Sequence, residues 1–355
     1  MKTALRALFA VCALSAVTAH AFPEMIRHGY VNCTSCHFSP TGGGILTAYG
    51  RVQAEEVLST WSKEGEGGVL HGLVGDTGPV SFGGQFRVLQ MWKRDASFTT
   101  GRFIWMQNDL EAAVTAGPVT VVATAGIQDR ADPFVSRRHY ALWRTTETSP
   151  WTVRAGRFLY AYGINTPDHI LATKRGIGLG EDTETYNVEF SYLAEHFDIF
   201  ATAVLGFFNS GYDRGFALRG GWNLNDRSKI GVSFFAGDNG VRTRKLYGAY
   251  AMIGFTEHLF LLAQADLQNV VAGTGLGLGP AAYARVDYEF LKGLHGYASG
   301  EYSYLGGLTG YAAGLGVQWF PRPHFELRLH YDRRDDRNTG NVPAHYGWLM
   351  AHYYI

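Results

Sequence analysis

The amino-acid sequence predicts an all-β chain: one closed antiparallel barrel of about sixteen strands, preceded by a short segment of different character. Three observations lead there. From about Val80 onward, stretches of roughly 9–13 residues alternate apolar and polar with a period of two, the spacing of side chains on a strand. Their connections alternate between short turns and longer polar loops, which suits a barrel with one trim end and one ornate end. No apolar run of about 18 residues follows residue 21, so a helical membrane span is not part of the pattern.

The chain opens on an export signal. Lys2 and Arg6 form a basic start, Leu8 to Val17 an apolar stretch, and Ala19-His20-Ala21 a small-residue cleavage site, so residues 1–21 are expected to be removed before Phe22. Cys12 would leave with them. The preceding Val11 is not small, which argues against lipidation there. Two cysteines then remain, Cys33 and Cys36.

Residues 22–62 form the segment of different character, with a helical stretch expected from Leu46 to Trp61. They carry Cys33-Thr34-Ser35-Cys36-His37 and then Pro40-Thr41-Gly42-Gly43-Gly44. In C-x-x-C-H, two thiols can each form a thioether to one vinyl group of a haem, and the histidine then lies under the iron. Zinc would need two further Cys or His at finger spacing, and none follows. A thioredoxin-type motif belongs to a βαβ unit, which this β-rich chain does not suggest. One covalent c-type haem is therefore expected. The triple glycine precedes no Gly-Lys-Ser/Thr and is not a phosphate loop. It is expected to let the backbone pass close to the haem edge. Residues 63–78, Gly-rich from Glu64 to Gly68, form a linker.

The barrel is expected over 79–355, with strands at 79–92, 101–115, 118–129, 137–146, 151–162, 185–193, 196–206, 214–223, 229–237, 243–254, 258–269, 280–290, 294–304, 308–319, 324–333 and 345–355. Strand 324–333 sets Phe325, Leu327, Leu329 and Tyr331 against Glu326, Arg328, His330 and Asp332. Longer outer loops are expected at 163–184, 207–213 and 334–344. Apolar outward and charged inward faces suit a membrane barrel, although a soluble sandwich also alternates. Tyr353 and Leu349 fit a closing strand, while Ile355 stands where an aromatic is usual.

Lys plus Arg and Asp plus Glu both number 31, so no net field argues for nucleic acid. The polar inner face is expected to hold Arg87, Asp109, Glu111, Arg285, Asp287, Glu289, Glu326, Arg328 and Asp332. His28, freed by Gly29, is the first candidate for the far side of the haem iron, ahead of Met25 and His71, with an open or water-bound position as the alternative. Arg27 and Arg51 are candidate partners for haem propionates, because a guanidinium matches a carboxylate.

The stretch from Cys33 to Arg51 joins C-x-x-C-H to Pro40 and Leu46-Thr47-Ala48-Tyr49-Gly50-Arg51. With the export signal and a porin-length barrel, it resembles the fused outer-membrane monohaem cytochrome–porins, known as iron(II) oxidases. The resemblance implies electron transfer across the outer membrane. The haem segment would enter the lumen from the periplasmic side. The implied partners are membrane lipid, a periplasmic c-type cytochrome and an extracellular donor such as Fe(II). A transport pore with a haem-containing plug, and a soluble periplasmic all-β haem enzyme, remain as alternatives.

Overall fold

The computed structural model describes residues 23–355 apart from 76, 129–132, 147, 169, 181–182, 208–210, 273–274 and 337–341. The export signal lies outside the described residues. Sixteen strands close into a single antiparallel sheet. In order they are β1 (Val80–Arg94), β2 (Thr99–Ala116), β3 (Val119–Ile127), β4 (Phe134–Val135 and His139–Trp143), β5 (Trp151–Phe158), β6 (Thr185–Leu193), β7 (Phe197–Gly206) and β8 (Arg214–Asn225). The second half comprises β9 (Ser228–Asp238), β10 (Arg242–Gly254), β11 (Leu259–Ala272), β12 (Gly275–Leu291), β13 (Leu294–Leu305), β14 (Leu308–Arg322), β15 (Phe325–Asp336) and β16 (Val342–Tyr354). The two parts of β4 follow one another along the same edge of β3, Val135 opposite Gly126 and His139 opposite Ala123, and make one interrupted strand. Closure comes from β1 against β16, in register from Gln85 opposite Tyr354 to Arg94 opposite His345.

Alternation sets which face each strand shows. In β3, Val119, Val121 and Ile127 are exposed on the outside while Thr120, Val122 and Thr124 are buried inside. Across the molecule the outer wall presents Leu110, Ile199, Val232, Leu315, Leu329 and other large apolar side chains to its surroundings. Aromatics ring both ends: Trp151 lies 4.3 Å from Tyr192 near the short turns, and Phe234 lies 5.2 Å from Tyr247 toward the other end. An apolar belt between aromatic girdles is the surface of a barrel embedded in lipid. A soluble domain would turn that face inward, so the soluble-enzyme alternative does not fit. The charged set expected inside, from Arg87 to Asp332, is buried on the inner face throughout.

Two expected loops differ. The strand foreseen at 151–162 leaves the wall at Phe158, and the described residues between 159 and 184 fold into the barrel instead of forming an outer loop. The reason is packing. Tyr160 stacks on Phe235 at 5.2 Å, and Tyr160, Tyr162, Ile177 and Leu179 share one buried cluster with Val204 and Leu246. Tyr160 and Tyr162 thus find partners inside, with Ala161 buried and Leu159 half-buried between them. The last loop is also shorter than foreseen, because β15 runs to Asp336 and β16 starts at Val342.

Residues 23–79 lie across the lumen at the end where the strands are joined by short turns. Thr60 donates its hydroxyl to the Lys292 carbonyl at 2.8 Å, Glu66 pairs with Arg322, and His324 Nε2 meets the Gly67 carbonyl at 3.0 Å. Four apolar contacts press this plug against the wall. Ile26 packs on Tyr250, Met252 and Phe260, and Ile45 packs on Ala113, Val122 and Phe158. Met25 and Leu58 pack on Phe320, and Leu46 and Ala54 on Tyr354.

Candidate functional site

The Cys33–His37 stretch closes one helical turn, the His37 amide donating to the Cys33 carbonyl at 3.0 Å. The chain then doubles back. Phe38 donates to the Ile45 carbonyl at 3.2 Å, Thr47 donates to the Cys36 carbonyl at 2.8 Å, and His37 bridges Leu46. Thr47 also caps the helical stretch α1 (Ala48–Gln53, widening through Leu58), its hydroxyl oxygen accepting from the Gly50 amide at 3.1 Å. The tip of the doubled-back segment is Gly42-Gly43-Gly44, all left-handed, with φ of +80°, +74° and +72°. Side chains are disfavoured in that region, and here they would also collide. A Cβ on Gly42 would meet the Cys33 sulfur at 3.2 Å, and one on Gly44 would meet Glu111 at 2.9 Å.

Cys33 and Cys36 are not joined in a disulfide. Burial raises the Cys33 thiol pKa above its ordinary value, against the lowering influence of Arg219 and Lys229. His37 is buried and lines an inner cavity of about 180 Å³ between the plug and the infolded loop. The cavity wall is basic, with Arg87, Arg137, Arg138, Arg154, Arg219 and Lys174 all contributing to it. Carboxylates back several of these cations: Asp109 holds Arg137 at 2.6 Å, Glu111 holds Arg138 at 2.7 Å, and Glu189 holds Arg154 at 2.5 Å. Arg154 also reaches the plug, donating to the Ser39 hydroxyl at 3.0 Å. Two thiols one turn apart and an imidazole thus share one short segment, and the imidazole lines the basic cavity.

The other residues named from sequence lie elsewhere. Arg27 is fully buried between His295, at 2.9 Å, and Glu289, at 3.1 Å, so its guanidinium is committed to the wall of β12 and β13. Arg51 donates to the Leu46 carbonyl at 2.8 Å within the plug. His28 Nε2 accepts from Arg27 Nε at 3.0 Å, and the ring is not among those lining the cavity beside His37. Burial, followed by the charge of Arg27, holds the His28 pKa down at about 3. The structure thus brings together Cys33, Cys36 and His37, and it leaves His28, Arg27 and Arg51 apart from them. Arg137, Arg138, Arg154 and Lys174 carry no motif or spacing that would single them out in the sequence.

Above the infolded loop lies an outer chamber of about 860 Å³. Arg87, Arg137, Pro167, Gly180 and Glu326 border both spaces, so inner cavity and outer chamber meet there. In the loop, Asp168 takes two hydrogen bonds from Arg328, at 2.6 and 3.0 Å. Burial works to raise the Asp168 pKa, but the charges of Arg328 and Arg285 outweigh it and hold the carboxyl below its ordinary range.

No family model matches the chain, and no curated protein matches it. Solved structures do. The outer membrane protein OmpT of Vibrio cholerae, in a form lacking loop L8, is 14% identical over 79% of this chain and 100% of its own, with a TM-score of 0.65. OprB of Pseudomonas putida is 9% identical over 78% of this chain and 94% of its own, with a TM-score of 0.61. The outer membrane channel DcaP of Acinetobacter baumannii is 14% identical over 78% and 97%, with a TM-score of 0.58. At such identities the likeness is one of fold, and the fold of this chain is the closed barrel of the outer-membrane porins.

Proposed function

We propose that this chain is an outer-membrane electron conduit, a porin-fold barrel whose lumen is closed by a plug carrying one covalent c-type haem. The observation that carries the reading is the position of the C-x-x-C-H turn: it lies inside the lumen, with His37 beside a cavity walled by arginines. The residues present fit the group. Cys33 and Cys36 would form the thioethers to the haem, and His37 would hold its iron. The left-handed glycines leave space over the Cys33 sulfur, and Arg137, Arg138 and Arg154 suit propionate carboxylates. The haem would supply one-electron redox chemistry.

The protein's own part is position. About 30 Å of hydrocarbon separates the two sides of a bilayer. The barrel replaces that hydrocarbon with a polar lumen, and the plug holds its haem motif at the short-turn end, which in such barrels faces the periplasm. The partners of this reading are an external donor, with Fe(II) first, entering through the outer chamber, and a periplasmic c-type cytochrome docking at the plug. Membranes containing the protein should show a c-type haem spectrum that is reduced by Fe(II) and reoxidised by periplasmic cytochrome. A spectrum unresponsive to both would overturn the electron-transfer reading.

The porin fold and the outer chamber also favour a second reading, a transport pore with the haem segment as its stopper. Solute flux through the intact chain, with no change in haem redox state, would select it.

A further inference from the structure

Barrel lumens are polar because water fills them. One band of this lumen is not. On three adjacent strands the inward residues Met350, Leu89 and Ile104 stand directly opposite one another, and the next row outward begins with Trp348 beside Met91. Residues facing each other in this way on one side of a sheet form a continuous surface. The row below, His352, Arg87 and Gln107, is polar again. Leu89, Met91, Ile104, Trp348 and Met350 all line the outer chamber, and Ile170 of the infolded loop joins them, 44% exposed. None of the six belongs to a buried apolar cluster of the described residues. Met350 is buried beneath the band, and the Trp348 indole packs 4.9 Å from the His330 ring with Arg328 over it, while Leu89, Met91, Ile104 and Ile170 remain partly open to the chamber.

The chamber's charges are mostly spent. Arg328 is bound by Asp168, and Arg334 lies 2.9 Å from Glu301 and 3.2 Å from Asp332. Arg175 and Asp335 differ: both line the same chamber without an ion-pair partner among the described residues, and of the two only Arg175 is exposed and cationic. An apolar wall with an indole, together with an uncommitted guanidinium, is complementary to a flat hydrophobic ring bearing an acid.

We propose that the outer chamber is a binding site for small aromatic anions, the ring against the Trp348–Leu89 wall and the acid group toward Arg175. The site goes beyond the electron-transfer reading and does not depend on it, since binding requires neither haem nor electron flow.

The test uses the full chain in lipid nanodiscs, titrated by calorimetry with 2-naphthoate and with its neutral analogue 2-naphthalenemethanol, with empty discs subtracted. Saturable binding of both probes is expected, with the acid the tighter. Arg175→Gln should weaken 2-naphthoate by about tenfold, the scale of one charged hydrogen bond, and leave the alcohol unchanged. Leu89→Gln should weaken both. Heat-modifiable mobility on gels checks that each variant is a closed barrel. Absence of saturable binding, or naphthoate binding indifferent to both substitutions, would overturn the site. Loss of naphthoate binding in Leu89→Gln alone would remove Arg175 from it.

Discussion

Asn165, on the infolded loop, donates its side-chain amide to the Thr41 carbonyl of the plug at 2.7 Å. This bond ties two separate insertions, one from each end of the barrel, at the lip of the inner cavity. Asn165→Ala should cost only about 1 kcal/mol, because the bond is exposed. The uncoupling should still be visible as faster tryptic cleavage after Lys174 or Arg175. Unchanged cleavage would mean that the loop is held by its other contacts alone.

The haem reading predicts a covalent attachment. Protein boiled in denaturant should keep haem peroxidase staining on a gel, and Cys36→Ala should leave at most one thioether and weaken it. Staining lost from the boiled wild type would end the assignment.

The ligand role first considered for His28 is testable separately. Its ring nitrogen is occupied by Arg27. His28→Ala should therefore leave the iron spin state as it is, while His37→Ala should change it. A low-spin spectrum turned high-spin by His28→Ala would return His28 to the iron.

Removing residues 23–62 behind the export signal should leave a barrel that inserts and conducts better than the whole chain. The four apolar contacts of the plug are made with the inner wall, whereas the strand pairing lies wholly in 80–354. Single-channel conductance decides, and equal conductance would show that the plug does not occlude the lumen.

Lys174, buried in the infolded loop, has its pKa lowered from 10.5 to about 8 by burial, with Asp266 pulling the other way. A group with a lowered folded value binds fewer protons folded than unfolded between those two pH values. Stability should therefore rise from about pH 8 to about pH 10.5, by at most about 1.4 kcal/mol per pH unit. The temperature at which the compact gel band disappears should climb over that range in the wild type and less in Lys174→Met. Parallel curves would place the titration elsewhere.

Much of the wall was legible because lipid outside and water inside impose a strict period of two, as in β3 and β15. The infolded loop was not, because Leu159 to Tyr162 continues the β-prone run of the preceding strand, and only the partners Phe235 and Leu246 reveal that Tyr160 and Tyr162 are buried inside the barrel. The apolar band was hidden for a related reason. In β1, Val88 and Trp92 face outward while Leu89 and Met91 face inward, so periodicity loses its contrast there. Of the site, Cys33, Cys36 and His37 were readable because the thioether chemistry proposed for them requires that spacing. Arg137, Arg138 and Arg154 were not, since they reach the cavity through closure of the sheet and no local pattern marks them.

The plug rests on the seam where the first strand meets the last. Gly83 of β1 lies against Ile45, so that a Cβ there would meet both Ile45 and the Ile355 carbonyl at 3.1 Å. Leu46 packs on Tyr354, and the Ile355 amide donates to Gly84. The earliest part of the chain to be exported thus waits for the latest before it has a place to sit. Zipping of the cylinder and seating of its stopper become one event. Any enzyme that modifies Cys33 and Cys36 must then finish while the segment still hangs free, before the door shuts behind it.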